Sequence, residues 1–209
     1  YIPDSNKVIL IDNVKMYSGQ DSLECNNLVL YDKIDKEFIA EGDVNFYKIN
    51  QLIKCEYLDY KESLKGKNLI LHLHDNAQLI DSSRMVFGDT LNINYEDSLI
   101  NNIYVLSNAK FINYRFAQYG EEKKSQKIED NMTSKKMFID FYNGDPIKMQ
   151  LSGMATTTFN VVEDMLVMGR SISSGDSIDI NIFDNIIDRM QMFGGVQGIF
   201  EPEKNNSRV

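Results

Sequence analysis

The chain has 209 residues, 43% of them hydrophobic, which is enough to bury one sizeable core. Its formal net charge of −9 argues against a protein that binds nucleic acid or an anionic surface through a broad positive field. No run of 18 apolar residues occurs, so the sequence predicts no membrane-spanning helix. We therefore expect a single domain over residues 1–209.

The chain is built of repeats. Six times a short marker ending in Val or Ala opens a segment in which apolar and polar residues alternate. The markers follow one another at spacings of 30, 33, 32, 46 and 41 residues. A period of this size is typical of solenoids and related stacked folds. The markers are Asn13-Val14, Asp43-Val44, Asn76-Ala77, Asn108-Ala109, Met154-Ala155 and Gly195-Val196.

The segments around the markers alternate with a period of two, as in Leu69, Leu71 and Leu73. Such alternation predicts β-strands with one apolar and one polar face. Asp, Asn and Gly residues between the segments favour turns. The sequence thus predicts an all-β, solenoid-like stack of about six two-stranded repeats with almost no helix. The second strand of most repeats follows a small residue, namely Cys25, Cys55, Gly88 or Gly175.

Two stretches interrupt this pattern. Over residues 118–136 charged and polar residues replace the alternation, and we interpret this stretch as a loop inserted between two repeats. Over residues 161–174 an apolar run cannot be assigned to either face of a strand. The polar tail, residues 201–209, is expected to be frayed.

The two cysteines occupy equivalent places in consecutive repeats. If Cys25 and Cys55 lie on neighbouring strands, about 4.8 Å apart, a disulfide is within reach, although directly facing side chains seldom have the required torsion angle. The alternative is a ladder of small residues, because Gly88 and Gly175 take the same place in later repeats. Both interpretations are open on sequence grounds.

The sequence shows little sign of catalytic or metal chemistry. His72 and His74 share one face of a predicted strand, but their phase is that of the outer face and no cysteine lies nearby, so we predict no metal site. No nucleophile elbow, phosphate-binding glycine loop or zinc-peptidase motif occurs. We predict neither an enzyme nor a bound cofactor. The clustered carboxylates that fall on turns and outer strand positions are Asp176, Asp179, Asp184 and Asp188.

The inward phase is rich in methionine, and the whole chain has 10 Met and no Trp. Methionine is flexible and polarizable, so it suits an adaptable apolar binding surface, but it is also an ordinary gap filler in a core. We predict twelve inward residues that contact an apolar ligand if the two sides of the stack part. They are Phe46, Tyr60, Leu91, Ile93, Tyr95, Phe111, Met137, Ile139, Met149, Ile178, Ile180 and Met192.

Several segments resemble the OstA-like family. The resemblance rests on DSLECNNLVLYD at residues 21–32, AEGDV at residues 40–44, GDTLNINYE at residues 88–96, GDSI at residues 175–178 and GGVQG at residues 194–198. It covers the chain from about residue 8 to residue 200. The family includes LptA, a periplasmic lipopolysaccharide-transport protein, and the N-terminal domain of the outer-membrane protein LptD.

The resemblance implies a β-jellyroll with an open groove, whose apolar interior shields the acyl chains of lipopolysaccharide during transport to the outer membrane. It implies a periplasmic lipid-binding bridge or chaperone, with an association with the outer membrane as in LptD. The implied partners are lipopolysaccharide or a related lipid and other jellyroll proteins of the transport bridge. The open ends of such a stack leave unpaired backbone groups, so partners would add end to end, and a homo-oligomer could form in the same way.

Two other classes fit parts of the pattern. A structural or adhesive β-solenoid would share the repeats but have a closed core and bind no lipid. A carbohydrate-active β-helix would gather carboxylates with basic or aromatic residues on one outer strip, for which the sequence offers only scattered candidates. These candidates are Tyr57, Tyr104 and Arg189.

Overall fold

The computed structural model describes residues 7–31, 36–63, 67–119, 124–183 and 186–203. All regular elements in these ranges are β-strands, so the prediction of an all-β fold is confirmed. The strands are β1 (Lys7–Ser18), β2 (Asp21–Tyr31), β3 (Lys36–Lys48), β4 (Gln51–Glu62), β5 (Asn68–Ile80), β6 (Arg84–Glu96), β7 (Leu99–Tyr119), β8 (Lys124–Tyr142), β9 (Asp145–Glu163), β10 (Leu166–Phe183), β11 (Ile186–Phe193) and β12 (Gln197–Pro202).

Strands β1 to β11 form one sheet in chain order, each antiparallel to the next, and β12 pairs with β10. Short turns join the strands, and residues such as Asp97 and Gly144 adopt positive φ there, at 46° and 84°. Short connections of this kind permit antiparallel pairing only, because parallel strands need a long crossover. The series of consecutive hairpins agrees with the predicted jellyroll-like stack.

The repeating markers are corners in the strands. At every marker the residue before Val or Ala, and the residue preceding that one, both have positive φ. Each corner adds one residue to its strand: three steps from Ile11 to Val14 on β1 face two steps from Asn27 to Cys25 on β2. This is a β-bulge, which bends the strand. The corner pairs are Asp12-Asn13, Gly42-Asp43, Asp75-Asn76, Ser107-Asn108, Gly153-Met154 and Gly194-Gly195.

The corners fold the sheet over on itself. Phe38 and Phe46 both lie on β3 and would be about 27 Å apart on a straight strand, yet their ring centroids are only 6.3 Å apart. Two layers therefore face each other, with the corners along one edge and the hairpin turns along the opposite edge, which we call the rim. Layer A comprises residues 7–11, 27–31, 36–41, 57–62, 68–74, 90–96, 99–106, 136–142, 145–152, 177–183 and 186–193, and layer B residues 14–18, 21–25, 44–48, 51–55, 77–80, 84–88, 109–119, 124–134, 155–163, 166–175 and 197–202.

Small residues on the even-numbered strands lie opposite the corners. Cys25 and Cys55 are both free and buried. They lie on β2 and β4 with β3 between them, which places their strands roughly 9–10 Å apart, too far for a disulfide. The disulfide interpretation is wrong, and the ladder of small residues is correct. Its pairs are Val14 and Cys25, Val44 and Cys55, Ala77 and Gly88, Ala109 and Ser134, and Ala155 and Gly175.

The prediction of an inserted loop over residues 118–136 is wrong. β7 continues to Tyr119, β8 begins at Lys124, and their ladder extends to the pair formed by these two residues; residues 120–123 lie outside the described ranges. The alternation is hidden because charged residues occupy inward positions. Arg115 Nε donates to Asp130 Oδ2 at 2.7 Å, and the Asp130 side chain is buried. A buried charge with a partner is tolerated in a core, but in sequence it looks like a solvated loop.

The charged pair stabilises an extension of layer B. Asp130 Oδ1 also accepts hydrogen bonds from N and Nδ2 of Asn160, at 2.8 and 3.1 Å, where the β8–β9 ladder ends. Beyond this point the β7–β8 and β9–β10 hairpins pack on each other, and β10 pairs with β7 at Leu166 and Gln118. The extension has a small core of its own, formed by Ala117, Ile128 and Val167.

The irregular stretch over residues 161–174 is a hairpin. β9 ends at Glu163 and β10 begins at Leu166, with Asp164 and Met165 in the left-handed region at φ of 49° and 65°. The apolar run has no single phase because the chain reverses within it. In the predicted tail, residues 201 and 202 pair with β10 instead of fraying, and residues 204–209 lie outside the described ranges. Asp184, one of the clustered carboxylates, also lies outside them.

The close approach of neighbouring strands at a corner requires Gly88. A Cβ added there would overlap Cγ1 of Val105 and lie 3.3 Å from Cδ1 of Leu91, and both neighbours are fully buried. We therefore expect Gly88→Ala to lower the free energy of unfolding by about 1–3 kcal/mol through overpacking. Thermal denaturation followed by circular dichroism measures this loss.

Gly198→Ala on β12 is the matched control, because a Cβ there would have its nearest neighbour 3.9 Å away. This variant should melt within experimental error of the parent. Equal melting temperatures for Gly88→Ala and Gly198→Ala would contradict the tight packing opposite the third corner.

Candidate functional site

The twelve predicted inward residues all belong to the interior between the layers. Eleven are buried, and Met192 is half-buried against the same core. Layer B contributes Phe46 and Phe111, and layer A contributes the others. The structure therefore brings the twelve together in one continuous apolar interior. That they contact a lipid is still a prediction.

Side chains fill the interior between β6 and β10. Residues on five successive strands there have no exposed surface, and they include Leu91, Ile93, Ile103, Ile139, Met149, Ile178 and Ile180. At the opposite end of the stack the filling is incomplete. A cavity of about 380 Å³ lies between the layers within β1 to β4. We call it the end cavity.

The end cavity is amphipathic. Its floor is apolar, and its mouth at the rim carries acidic and basic side chains. Of the twelve predicted residues, Phe46 and Tyr60 line it. The floor is formed by Met16, Leu23, Leu30, Phe38, Phe46 and Tyr60, and the charged residues at the mouth are Asp21, Lys36, Glu37, Lys48 and Glu62.

Each layer pairs its own charges at the mouth. In layer B, Lys48 Nζ lies 3.1 Å from Asp21 Oδ2, and the backbone N–H of Ile49 donates to Asp21 Oδ1 at 3.3 Å. In layer A, Lys36 Nζ lies 3.3 Å from Glu62 Oε2. These pairs do not bridge the layers, so they hold each side of the mouth in place without closing it.

A tyrosine connects the charged mouth to the apolar floor. The Tyr60 hydroxyl donates to Glu62 Oε2 at 2.7 Å. Burial raises the pKa of Tyr60 well above its ordinary value, and the neighbouring Glu62 carboxylate raises it further, so this hydroxyl stays protonated. Burial alone would raise the pKa of Glu62, but the hydrogen bonds from Tyr60 and Lys36 lower it below its ordinary value. The carboxylate therefore stays ionised at neutral pH.

Three aromatic rings of the floor pack against one another between the layers. Phe38 and Tyr60 of layer A stack with centroids 4.3 Å apart. Phe46 of layer B meets both rings edge-on, at 6.3 and 5.9 Å. Edge-to-face and offset-stacked pairs are the favoured aromatic geometries. These three rings thus join the two layers through apolar contact alone.

The twelve predicted residues leave out four residues of the cavity floor, although their phase points inward. Phe38 shares the parity of Ala40. On β2, Leu23 shares the parity of Cys25, and Leu30 shares that of Leu28. The fourth is Met16. The charged mouth had no sequence signal, because the pairing of Lys48 with Asp21 depends on strand register between residues far apart in the chain.

The outer face does not assemble a second site from the predicted candidates. Tyr57 packs against His74, with centroids 5.7 Å apart, whereas Tyr104 packs against Phe138 three strands farther along, at 4.6 Å. Arg189 is on β11. Within the described ranges, no group of three or more His, Cys, Asp or Glu side chains could hold a metal ion.

Comparison of the chain with known protein families, with curated proteins and with solved structures found no match. The resemblance to the OstA-like family therefore rests on the quoted segments alone. In the part of the chain that the structure describes, no helix is long and apolar enough to cross a membrane.

Acid should weaken the mouth of the end cavity. Because the folded protein lowers the pKa of Glu62 from 4.5, its contribution to stability is present above that value and is lost as the pH falls through the lower, folded value. The effect should be small, on the order of 0.5 kcal/mol, because the group is partly exposed. Chemical denaturation of the parent and of Glu62→Gln across this pH window measures it.

In Glu62→Gln the same window should bring a smaller loss, since the variant has no carboxylate to protonate at this site. Identical pH dependence in the two proteins would show that Glu62 is not stabilised in its ionised form.

Proposed function

We propose that this protein binds a lipid by its acyl chains between the two layers and acts as a periplasmic bridge or chaperone in lipopolysaccharide transport to the outer membrane. The observation that carries the proposal is the end cavity, with its apolar floor of six side chains and its charged mouth. The resemblance to the OstA-like family supplies the lipid class, the compartment and the association with the outer membrane.

The charge distribution favours recognition of the chains over recognition of the head group. Both lysines at the mouth are already paired with carboxylates, and the protein carries a formal net charge of −9. An anionic head group would thus stay outside in water. Each methylene that leaves water contributes about 0.8 kcal/mol, so an acyl chain would bind without a specific hydrogen bond.

The ends of the stack suit the proposed assembly partners. Among the described strands, β1 pairs with β2 alone, and β11 and β12 both pair with β10. Apolar side chains are exposed at both ends, including Ile9 and Ile11 on β1 and Ile199 and Phe200 on β12. An exposed edge of this kind is a template for strand addition. A contact between opposite ends of two copies, or with another jellyroll protein, would extend the stack.

One observation favours the alternative of a structural or adhesive β-solenoid. The interior between β6 and β10 is filled by the protein's own side chains, as a closed core requires. In this alternative the end cavity would be an imperfectly packed terminus, with no lipid ligand. A direct test of lipid contact distinguishes the two functions.

Photo-crosslinking to purified lipopolysaccharide provides this test. A photoreactive residue replaces Phe46, which lines the end cavity, and in the control it replaces the adjacent Tyr47, which is exposed. We expect lipid adducts at position 46 and few at position 47. A folded protein with no adduct at position 46 would contradict the lipid-carrier proposal and favour the closed solenoid.

A second experiment tests end-to-end assembly. The double variant with Ile9→Asp and Ile11→Asp places two charges on the β1 edge and should shift any oligomer toward monomer in sedimentation equilibrium. The control is Phe116→Asp, at an exposed apolar residue of layer B far from both ends. If both proteins associate like the parent, β1 does not serve as the assembly edge.

A further inference from the structure

Beyond the end cavity, hydrogen bonds tie the two layers together across the rim. The Tyr95 hydroxyl of layer A donates to Gln51 Oε1 of layer B at 2.7 Å. Farther along the stack, Arg84 Nη1 of layer B donates to the carbonyl oxygen of Gly144, in the layer A turn between β8 and β9, at 2.8 Å. We call these two hydrogen bonds the rim ties.

The first rim tie lies at the inner boundary of the end cavity. Gln51 pairs with Lys48, which lines the mouth. Burial raises the pKa of the Tyr95 hydroxyl, and the negative charge of Asp21 raises it further. The Tyr95 ring is buried in the core. From the β1 end inward, the rim thus changes from charge pairs within each layer to a hydrogen bond between layers.

The second rim tie is rigidly supported. Asp81 Oδ2 accepts from Arg84 Nε at 3.0 Å, and Asp81 Oδ1 accepts from the backbone N–H of Ser83 and Arg84 at 2.8 and 2.7 Å. The guanidinium also lies 5.5 Å from the ring centroid of Phe141 in layer A. One side of the guanidinium is held within layer B, and the other reaches across the rim.

We infer that the rim ties set the length of acyl chain that the protein accepts. This inference rests on the proposed function. With the ties formed, a chain reaches no farther than the end cavity. A longer chain must part the layers beyond it.

The physical reason is that hydrocarbon replaces some contacts but not others. A chain that enters between the layers exchanges apolar contact for apolar contact, which changes the free energy little. It cannot accept the hydrogen bond of a tyrosine hydroxyl or a guanidinium, and leaving such a group unpaired is costly. The directional bonds therefore resist a long chain, while the apolar core does not discriminate.

The test measures affinity against chain length. n-Alkyl maltosides share one uncharged head group, and calorimetric titration below their micelle concentrations gives an affinity for each. For the parent we expect a rise of about fourfold per methylene, which levels off once the end cavity is full. For Tyr95→Phe, which removes the first tie and keeps the ring, the rise should continue to longer chains.

Tyr104→Phe is the matched control, because its hydroxyl lies on the outer face, and its curve should follow the parent. Superimposable curves for the parent and Tyr95→Phe, or a parent curve that never levels off, would overturn the inference while leaving lipid binding intact. If no maltoside binds the parent at any length, the proposed function fails together with the inference.

A measurement without lipid checks the same ties. Cys25 and Cys55 are buried inside the corners, so a thiol reagent reaches them faster when the layers part. Tyr95→Phe and Arg84→Lys should each increase the labelling rate severalfold under native conditions, and Tyr104→Phe should not. Equal rates in all four folded proteins would show that the ties do not hold the layers closed.

Discussion

The fold depends on two consecutive residues in the left-handed region, repeated at six corners. For most residues this conformation costs roughly 1–2 kcal/mol each, whereas Gly, Asn and Asp adopt it more easily. The second residue of each corner pair is Gly, Asn or Asp, except for Met154, which is 81% exposed. Without the corners, one wide sheet would leave its apolar face in water. With them, the two halves of the same sheet cover each other.

The corners and the rim have different roles because the sheet is hinged on one side only. On the corner side the backbone is continuous, and small residues such as Cys55 and Gly88 allow close packing. On the rim side no backbone connects the layers: near β1 the charges pair within each layer, and farther along the stack the rim ties join the two layers. Space for a ligand is found where contacts between the layers are apolar alone, behind the mouth formed by β1 to β4.

The strands, the markers and the inward phase were predictable because each leaves a local pattern. The alternation at Leu69, Leu71 and Leu73 follows from one face meeting the core. The extension around Arg115 and Asp130 was not predictable, because an ion pair formed by two distant residues has the composition of a loop. The mouth and the rim ties were hidden for the same reason, since their partners meet only after the sheet folds over. The phase alone also cannot tell a filled interior from an open one.

Strand order has a kinetic consequence. Because each of the strands β1 to β11 pairs with its neighbours in the chain, these ladders close short loops, and even the contact between Phe38 and Phe46 spans only eight residues. Low contact order favours fast folding, whereas most all-β proteins are slowed by distant pairings. Nucleation at any hairpin could then spread in both directions, as in repeat proteins whose stability is a sum over nearest neighbours. Such a chain would fold by the stepwise addition of one hairpin after another.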